Sequence, residues 1–385
     1  MRRRLQFRRR RLPYSSRIAL VLIGLGSLAG IALTLALRTS EPGPKFIGAP
    51  ASVTATERAR VSADHFLDVY MDGDGRVERV DQGGDTVSEG QAYAMLLAAG
   101  IGDRARFDRA WSWTRENLQR EDALLAWRWS EGAVQDSESA TDADLDAARA
   151  LLVAADRFDE REYLAEGLRI GDAILDHATV RVGDRLVLVA GPWARETAPY
   201  FINPSYFAPR TFALLERASG DERWGDLADS SRDIIRRFTE RAALVPDWAV
   251  LTTSDEVYAS PPPGEHDGEA TYGFDAQRTY VRFAEDCEVA GRRLAASPWK
   301  LVAQERSHTI ASAYSLQGKP LSEEEPASAV IGFAGVARGE GNTEAVNELL
   351  DRSQDVLRRE PNYYGAAWVA LGRMMLTTSL LGDCL

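Results

Sequence analysis

Residues 140–158 read ATDADLDAARALLVAADRF, and apolar side chains recur in them every three or four positions. This spacing predicts an amphipathic α-helix from Asp142 to Phe158. Asp142 and Asp146 are four residues apart and share one face of that helix, whereas Asp144 points elsewhere. Like charges at this spacing destabilise a helix. Either the acids serve as helix caps together with Thr141, or they belong to a functional site that compensates for the repulsion.

The same periodicity continues on both sides of this helix, while strand-like alternation is rare. It predicts an all-α body of about twelve helices, several of them separated by long segments at residues 72–88, 121–141, 180–204 and 252–273. Ordered loops of this length generally carry function. The predicted helices are Thr54–Tyr70, Glu89–Gly100, Arg104–Gln119, Asp142–Phe158, Arg161–His177, Tyr206–Ala218, Arg223–Arg241, Asp275–Ala290, Pro298–Leu316, Pro326–Ala337, Thr343–Arg358 and Tyr364–Leu381.

The first 50 residues differ from the rest of the chain. Residues 1–17 form a basic head with eight Arg and no acid, and residues 18–37 are uncharged and long enough to span a bilayer. This asymmetry predicts a single transmembrane signal-anchor with its N-terminus in the cytoplasm, and a cleaved secretory signal is the alternative. Residues 38–50 are rich in Pro and Gly and predict a linker. Residues 51–385 then form one extracytoplasmic domain, without a repeat of fixed period.

Charge and residue types exclude several classes of function. The net charge of the 385-residue chain is −12, or −20 without the basic head, and so acidic a body disfavours nucleic-acid binding. The two Cys lack C-x-x-C spacing and permit at most one disulfide, and no two His have H-x-x-x-H spacing. Residues 72–76 (DGDGR) do not continue into a calcium-binding loop, and no phosphate-binding motif is present. We therefore predict no metal and no cofactor.

Two further acids lie where a long segment meets an apolar helix. Glu89 opens a helix that is strongly apolar from Met95 to Ala99, and partial burial there would raise its pKa and suit it to proton donation. Arg278 follows Asp275 by one turn and would keep that carboxylate ionised. The alternatives are stabilisation of a helix end by Glu89 and a plain salt bridge at Asp275. Carboxylates together with abundant aromatic residues are typical of sites that bind and cleave sugars.

Taken together, these acids lie in motifs that resemble those of glycoside hydrolase family 8, the family of bacterial endoglucanases, chitosanases and xylanases. Residues 140–158 resemble the family pattern A-[ST]-D-[AG]-D-x-x-[IM]-A-x-[SA]-L-L-x-A-x-x-x-[FW] and depart from it only at Ala147. Further matches follow the family's order between Phe66 and Tyr364. They are DGRV (74–77), SEGQAY (88–93), LAWRW (125–129), NPSYFAP (203–209), PDW (246–248) and DAQR (275–278).

The resemblance implies an (α/α)6 barrel as the catalytic domain, and an enzyme that hydrolyses β-1,4 glycosidic bonds within a chain and inverts the anomeric carbon. Glu89 falls at the position of the general acid and Asp275 at that of the general base. Asp142 matches the residue that holds the distorted sugar at the cleavage point, and Arg278 matches an Arg beside the base. Phe274 replaces a Tyr that many members place before the base.

The implied substrate is a β-glucan such as cellulose, and a membrane-anchored cellulase suggests polysaccharide synthesis or export machinery as a partner. The same fold acting on chitosan or xylan is one alternative. A non-hydrolytic glucan-binding component of an export complex is another, although binding alone would not need Glu89, Asp142 and Asp275. The predicted substrate-binding residues are Arg278, Tyr93, Trp127, Trp129, Tyr206 and Trp248.

Overall fold

Helices dominate residues 54–265 and 267–384, the part of the chain that this computed structural model describes. Thirteen α-helices occur there, and most coincide with a predicted one to within a few residues. They are α1 (Ala55–Tyr70), α2 (Ser88–Ile101), α3 (Arg104–Asn117), α4 (Thr141–Phe158), α5 (Arg161–His177), α6 (Pro209–Ser219), α7 (Arg223–Thr239), α8 (Ala276–Ala284), α9 (Val289–Ala295), α10 (Trp299–Glu305), α11 (Ala327–Glu340), α12 (Thr343–Arg359) and α13 (Tyr363–Thr377).

Six helices form a closed inner ring in which each packs on the next: α2, α4, α6, α8, α11, α13 and back to α2. An inner helix is apolar on nearly all sides because neighbours surround it, and every residue of α2 except Glu89 is buried. A second layer covers the ring, with α1, α3, α5, α7, α9 and α12 packed on α13, α2, α4, α6, α8 and α11 respectively. This mostly helical architecture is consistent with the predicted (α/α)6 barrel.

The connections between the two layers are unequal in length. Each inner helix except α13, the last in the chain order, is joined to the next outer helix by a few residues, whereas longer segments lead from an outer helix to most of the following inner helices. Because short connections join antiparallel neighbours, the inner helices all begin at one end of the barrel, and the long segments meet there. Antiparallel strands within these segments pair as β1–β2–β3, β4–β5, β6–β7–β8 and β9–β10. They are β1 (Thr86–Val87), β2 (Arg128–Ser130), β3 (Ala133–Asp136), β4 (Thr179–Val182), β5 (Arg185–Leu188), β6 (Tyr200–Ile202), β7 (Trp248–Leu251), β8 (Val257–Ser260), β9 (Thr271–Tyr272) and β10 (Tyr314–Ser315).

Two predicted helices are wrong in their extent. The segment Asp275–Ala290 divides into α8 and α9, because the Asp286 carboxylate accepts the backbone N–H of Glu288 and holds a turn between them. The segment Pro298–Leu316 is helical only in α10, and beyond it the Glu325 carboxylate accepts the backbone N–H of Ile310. At the first break Asp286 is also held by Arg232 of α7, and at the second the partner is Glu325, so both depend on residues outside the predicted helix that leave the local periodicity unchanged.

The described residues contain one disulfide. Cys287 and Cys384 form a disulfide, within the limit of one bridge set by the sequence. The predicted head at residues 1–17, signal-anchor at residues 18–37 and linker at residues 38–50 lie outside the described residues. Within the described residues, no helix has the length and hydropathy needed to cross a membrane.

Candidate active site

Three acids identified in the sequence lie at the N-terminal ends of three inner helices. Glu89 is in the first turn of α2, Asp142 is in the first turn of α4, and Asp275 is the residue immediately before α8. These ends face the long connecting segments. Asp142 does not cap its helix, because α4 has no side-chain cap and the Asp142 carboxylate instead accepts a hydrogen bond from Arg278. The interpretation of Asp142 as a helix cap is therefore wrong.

Arg278 joins two of these acids across the barrel. Its guanidinium donates through Nη1 to Oδ2 of Asp142 and through Nη2 to Oδ1 of Asp275, both at 2.6 Å. The side chain is 5% exposed, and Nη1 also lies 3.4 Å from the hydroxyl of Tyr93. The ring of Tyr206 lies 5.5 Å from the guanidinium carbon. The contact with Asp275 is thus part of a network in which one Arg holds carboxylates from α4 and α8.

Glu89 lies in an environment that favours its protonated form. Its Oε1 accepts the indole N–H of Trp127 at 3.3 Å, and Ser88 donates to Oε2 at the same distance. Burial, followed by the negative charge of Asp142, raises the pKa of Glu89 to about 7. The predicted increase in pKa is confirmed in direction, and a carboxyl that retains its proton near neutral pH can serve as a general acid.

Asp275 is held by two donors, and only one of them was a candidate site residue. Besides Arg278, the Nδ2 of Asn203 donates to Oδ2 of Asp275 at 3.1 Å. Asn203 is itself fixed, because its Oδ1 accepts the backbone N–H and the hydroxyl of Ser205. The carboxylate of Asp275 is about one third exposed, so it remains accessible from the open end of the barrel. Asn203 belongs to the NPSYFAP motif, and only its family match could have identified it.

Two other aspartates near the start of α4 have separate structural tasks. Asp144 points away from Asp142, as predicted, and its carboxylate accepts the backbone N–H of Leu125 at 2.8 Å and the hydroxyl of Ser139. These bonds anchor the segment that carries Trp127 over Glu89. Burial raises the pKa of Asp144 to about 7. Asp146 forms a buried bidentate ion pair with Arg282, one helical turn deeper than the pair formed by Asp142 and Arg278.

The predicted sugar-stacking residues differ in their neighbours and in their distance from Arg278. Trp248 lies with its ring 6.1 Å from that of Tyr206 and 6.4 Å from that of Trp193, so these aromatic residues form a row that leads to Arg278. Trp193 was not predicted, and no local pattern distinguishes it from a core residue. Trp129 instead packs on Trp113, with Arg76 over its ring. Tyr93 is 1% exposed and is placed to orient Arg278.

The described residues contain no group of three or more His, Cys, Asp or Glu arranged to hold a metal ion. The DGDGR segment forms a tight turn that is closed by a bridge between Met71 and Val77. Inside it, the Asp74 carboxylate accepts the backbone N–H of Arg76.

The chain belongs to glycosyl hydrolase family 8. The sequence profile of "Glycosyl hydrolases family 8" matches residues 49–284, which is more than half of the chain. This range contains Glu89, Asp142 and Asp275, together with the partners Trp127, Asn203 and Arg278.

Curated and structurally determined relatives agree with this assignment. A probable endoglucanase of Novacetimonas hansenii is 34% identical over 189 residues, which cover 47% of this chain and 55% of that protein. Endoglucanase A of Acetivibrio thermocellus is 26% identical over 296 residues, covering 73% and 59% respectively. The chain thus spans little more than half the length of these relatives. The endo-beta-1,4-glucanase CMCax of Acetobacter xylinum superposes with a TM-score of 0.71 at 24% identity over 82% of this chain and 97% of that one, which shows the fold.

Proposed function

We propose that the protein is an endo-acting β-1,4-glucanase that inverts the configuration of the anomeric carbon. The observation that supports this most directly is the pair of differently held carboxyls at one end of the barrel. Glu89 lies in a setting that favours its proton, and Asp275 accepts hydrogen bonds from Arg278 and Asn203. Family membership and the endoglucanase relatives support a glucan as substrate.

The proposed reaction uses these groups in a single displacement. Glu89 donates its proton to the glycosidic oxygen, and the bond from that oxygen to the anomeric carbon breaks. Asp275 takes a proton from a water molecule, whose oxygen bonds to the anomeric carbon from the opposite face. Asp142, with one buried oxygen free of a protein hydrogen-bond partner, contacts the sugar at the cleavage point. The reaction consumes one water. Asp275 then releases its proton to solvent and Glu89 takes one up from solvent, which restores both groups.

The substrate class is tested with the purified protein on carboxymethyl-cellulose, mixed-linkage β-glucan, chitosan and xylan. We expect the release of reducing ends from the two glucans, with a rapid fall in the viscosity of carboxymethyl-cellulose because cleavage is internal. Faster release from chitosan or xylan would establish one of the alternative substrates. Binding to a glucan without release from any of the four polymers would establish the non-hydrolytic alternative.

The pH dependence of kcat/KM tests the state of Glu89. Because the pKa of Glu89 is raised to about 7, its proton is present below that pH and is lost above it. We therefore expect kcat/KM to fall about tenfold per pH unit above pH 7, since kcat/KM reports the free enzyme. Thermal unfolding at each pH serves as the control. A profile that stays flat to pH 9 in a folded protein contradicts the assignment of Glu89 as the acid.

For localisation we propose that the domain lies outside the cytoplasm and is tethered by residues 18–37. The disulfide between Cys287 and Cys384 supports this proposal, because such bridges persist in oxidising compartments. An enzyme in this position could trim a glucan that the cell itself makes, in contact with synthesis or export machinery. N-terminal sequencing of protein from the membrane fraction tests the anchor, and a mature N-terminus near Ser40 would establish cleavage instead.

A further inference from the structure

Asp247 lies immediately before β7 and reaches the helix end that carries the general base. Its Oδ1 accepts the backbone N–H of Gly273 at 3.0 Å and the backbone N–H of Ala276 at 2.7 Å. These two donors flank Asp275, two residues before it and one residue after it. We propose that Asp247 is a positioning residue for Asp275, an inference that rests on the proposed function.

Several hydrogen bonds attach Asp247 to the segment 271–276. Its Oδ2 accepts the hydroxyl of Thr271 at 3.3 Å, and its own backbone N–H donates to the carbonyl of Thr271 at 2.8 Å. Asp247 therefore contacts the segment 271–276 through its backbone and both carboxylate oxygens. The backbone on both sides of the base therefore has little freedom to shift.

Asp247 also performs a task that Asp275 would otherwise perform. An aspartate directly before a helix usually turns its carboxylate back to accept an N–H of the first turn. Asp275 makes no such bond, and its oxygens accept from Arg278 and Asn203 instead. Asp247 accepts the first N–H of α8, from Ala276, and its negative charge suits a helix N-terminus. The carboxylate of Asp275 can therefore be directed towards the site.

Gly273 is required by this arrangement. A Cβ at position 273 would lie 2.6 Å from Oδ2 of Asp247, which is too close for any side chain unless Asp247 moves. If the aspartate is removed, this conflict disappears. The two positions are therefore expected to be energetically coupled, and the coupling can be measured.

The charge of Asp247 is less important than its acceptor atoms. Burial, followed by the negative charge of Asp275, raises the pKa of Asp247 to about 7. Both the protonated and the ionised carboxyl retain an oxygen that accepts the N–H groups of Gly273 and Ala276. Asparagine offers the same acceptor oxygen at the same distance from the backbone, so it is the conservative replacement.

The test compares Asp247→Ala, Asp247→Asn and Gly273→Ala with the double variant Asp247→Ala/Gly273→Ala. We expect Asp247→Ala to lower kcat about 30-fold with KM changed less than about threefold, because a small displacement of a catalytic group costs rate. Asp247→Asn should recover most of that loss. Gly273→Ala alone should lower kcat about tenfold, yet cost less than about twofold when added to Asp247→Ala.

Asp286→Ala is the matched control, at the other end of α8. Asp286 is buried, accepts a backbone N–H from Glu288, and would meet a Cβ placed on Gly291. This variant should lower the unfolding temperature while kcat per folded molecule is unchanged. A loss of kcat in Asp247→Ala no greater than that in Asp286→Ala, or independent effects of Asp247→Ala and Gly273→Ala, would overturn the positioning role.

Failure of the proposed function gives a different result. Near-normal kcat in Asp275→Asn would show that Asp275 is not the base, and this inference would fall with that assignment. An inactive Asp275→Asn together with a fully active Asp247→Ala would overturn the role of Asp247 alone.

Discussion

Glu89→Gln is expected to lower kcat by at least about 100-fold on the best polymer of the panel, the usual scale for a positioned acid. Glutamine is nearly isosteric and keeps an oxygen that can accept the indole N–H of Trp127. Its amide protons are not acidic enough to be transferred to the leaving oxygen, so the loss reports chemistry and not packing. The measurement is the initial rate of reducing-end release at saturating substrate, with KM determined in parallel.

The pH profile makes this prediction specific to Glu89. In Glu89→Gln the decline of kcat/KM above pH 7 should disappear, because the group that loses its proton there is absent. Asp275→Asn should also lose at least about 100-fold but should retain that decline. Asp144→Asn is the matched control, since it too replaces a buried carboxyl whose pKa is raised to about 7. This variant should retain the decline of kcat/KM above pH 7. A Glu89→Gln variant with near-normal kcat would mean that another carboxyl is the acid.

Arg282→Met is expected to have the largest effect on stability, about 3–5 kcal/mol in the free energy of unfolding. Both Nη atoms of Arg282 donate to the carboxylate oxygens of Asp146, at 2.5 and 2.6 Å, and both side chains are 1% exposed. Removal of the Arg leaves a carboxylate in the barrel interior without its cation. Such a group costs far more than the loss of a surface ion pair.

A second substitution separates this explanation from a simple packing defect. Asp146→Leu/Arg282→Met should be more stable than Arg282→Met, because no unpaired charge remains in the interior. Arg169→Met, which removes an exposed ion pair with Glu166 on the outer helix α5, should hardly change the unfolding midpoint. The measurement is chemical denaturation followed by tryptophan fluorescence. A double variant that is less stable than Arg282→Met would contradict the role assigned to the charge.

Much of the fold could be predicted because its signals are local. Helical periodicity identified α4 and most other helices, since an amphipathic helix repeats its apolar residues about every 3.6 positions. The strands could not be predicted, because segments of two to four residues such as β1 are too short to show an alternation. The single predicted helix at Pro298–Leu316 failed for a related reason: the bond from Ile310 to Glu325 spans 15 residues and leaves no local pattern.

The candidate site, like the fold, was predictable from the sequence only in part. Glu89, Asp142 and Asp275 could be named as candidates from the chain itself, because each lies where a long segment meets an apolar helix and because their motifs match those of a known family. Closure of the barrel decided which residues contact these three acids. It brought Arg278 within 2.6 Å of Asp142, although 136 residues separate them, and it placed Asn203 and Asp247 around Asp275. Periodicity and capping act within a few residues, whereas ion pairs and desolvation depend on which helices meet, and only the tertiary structure decides that.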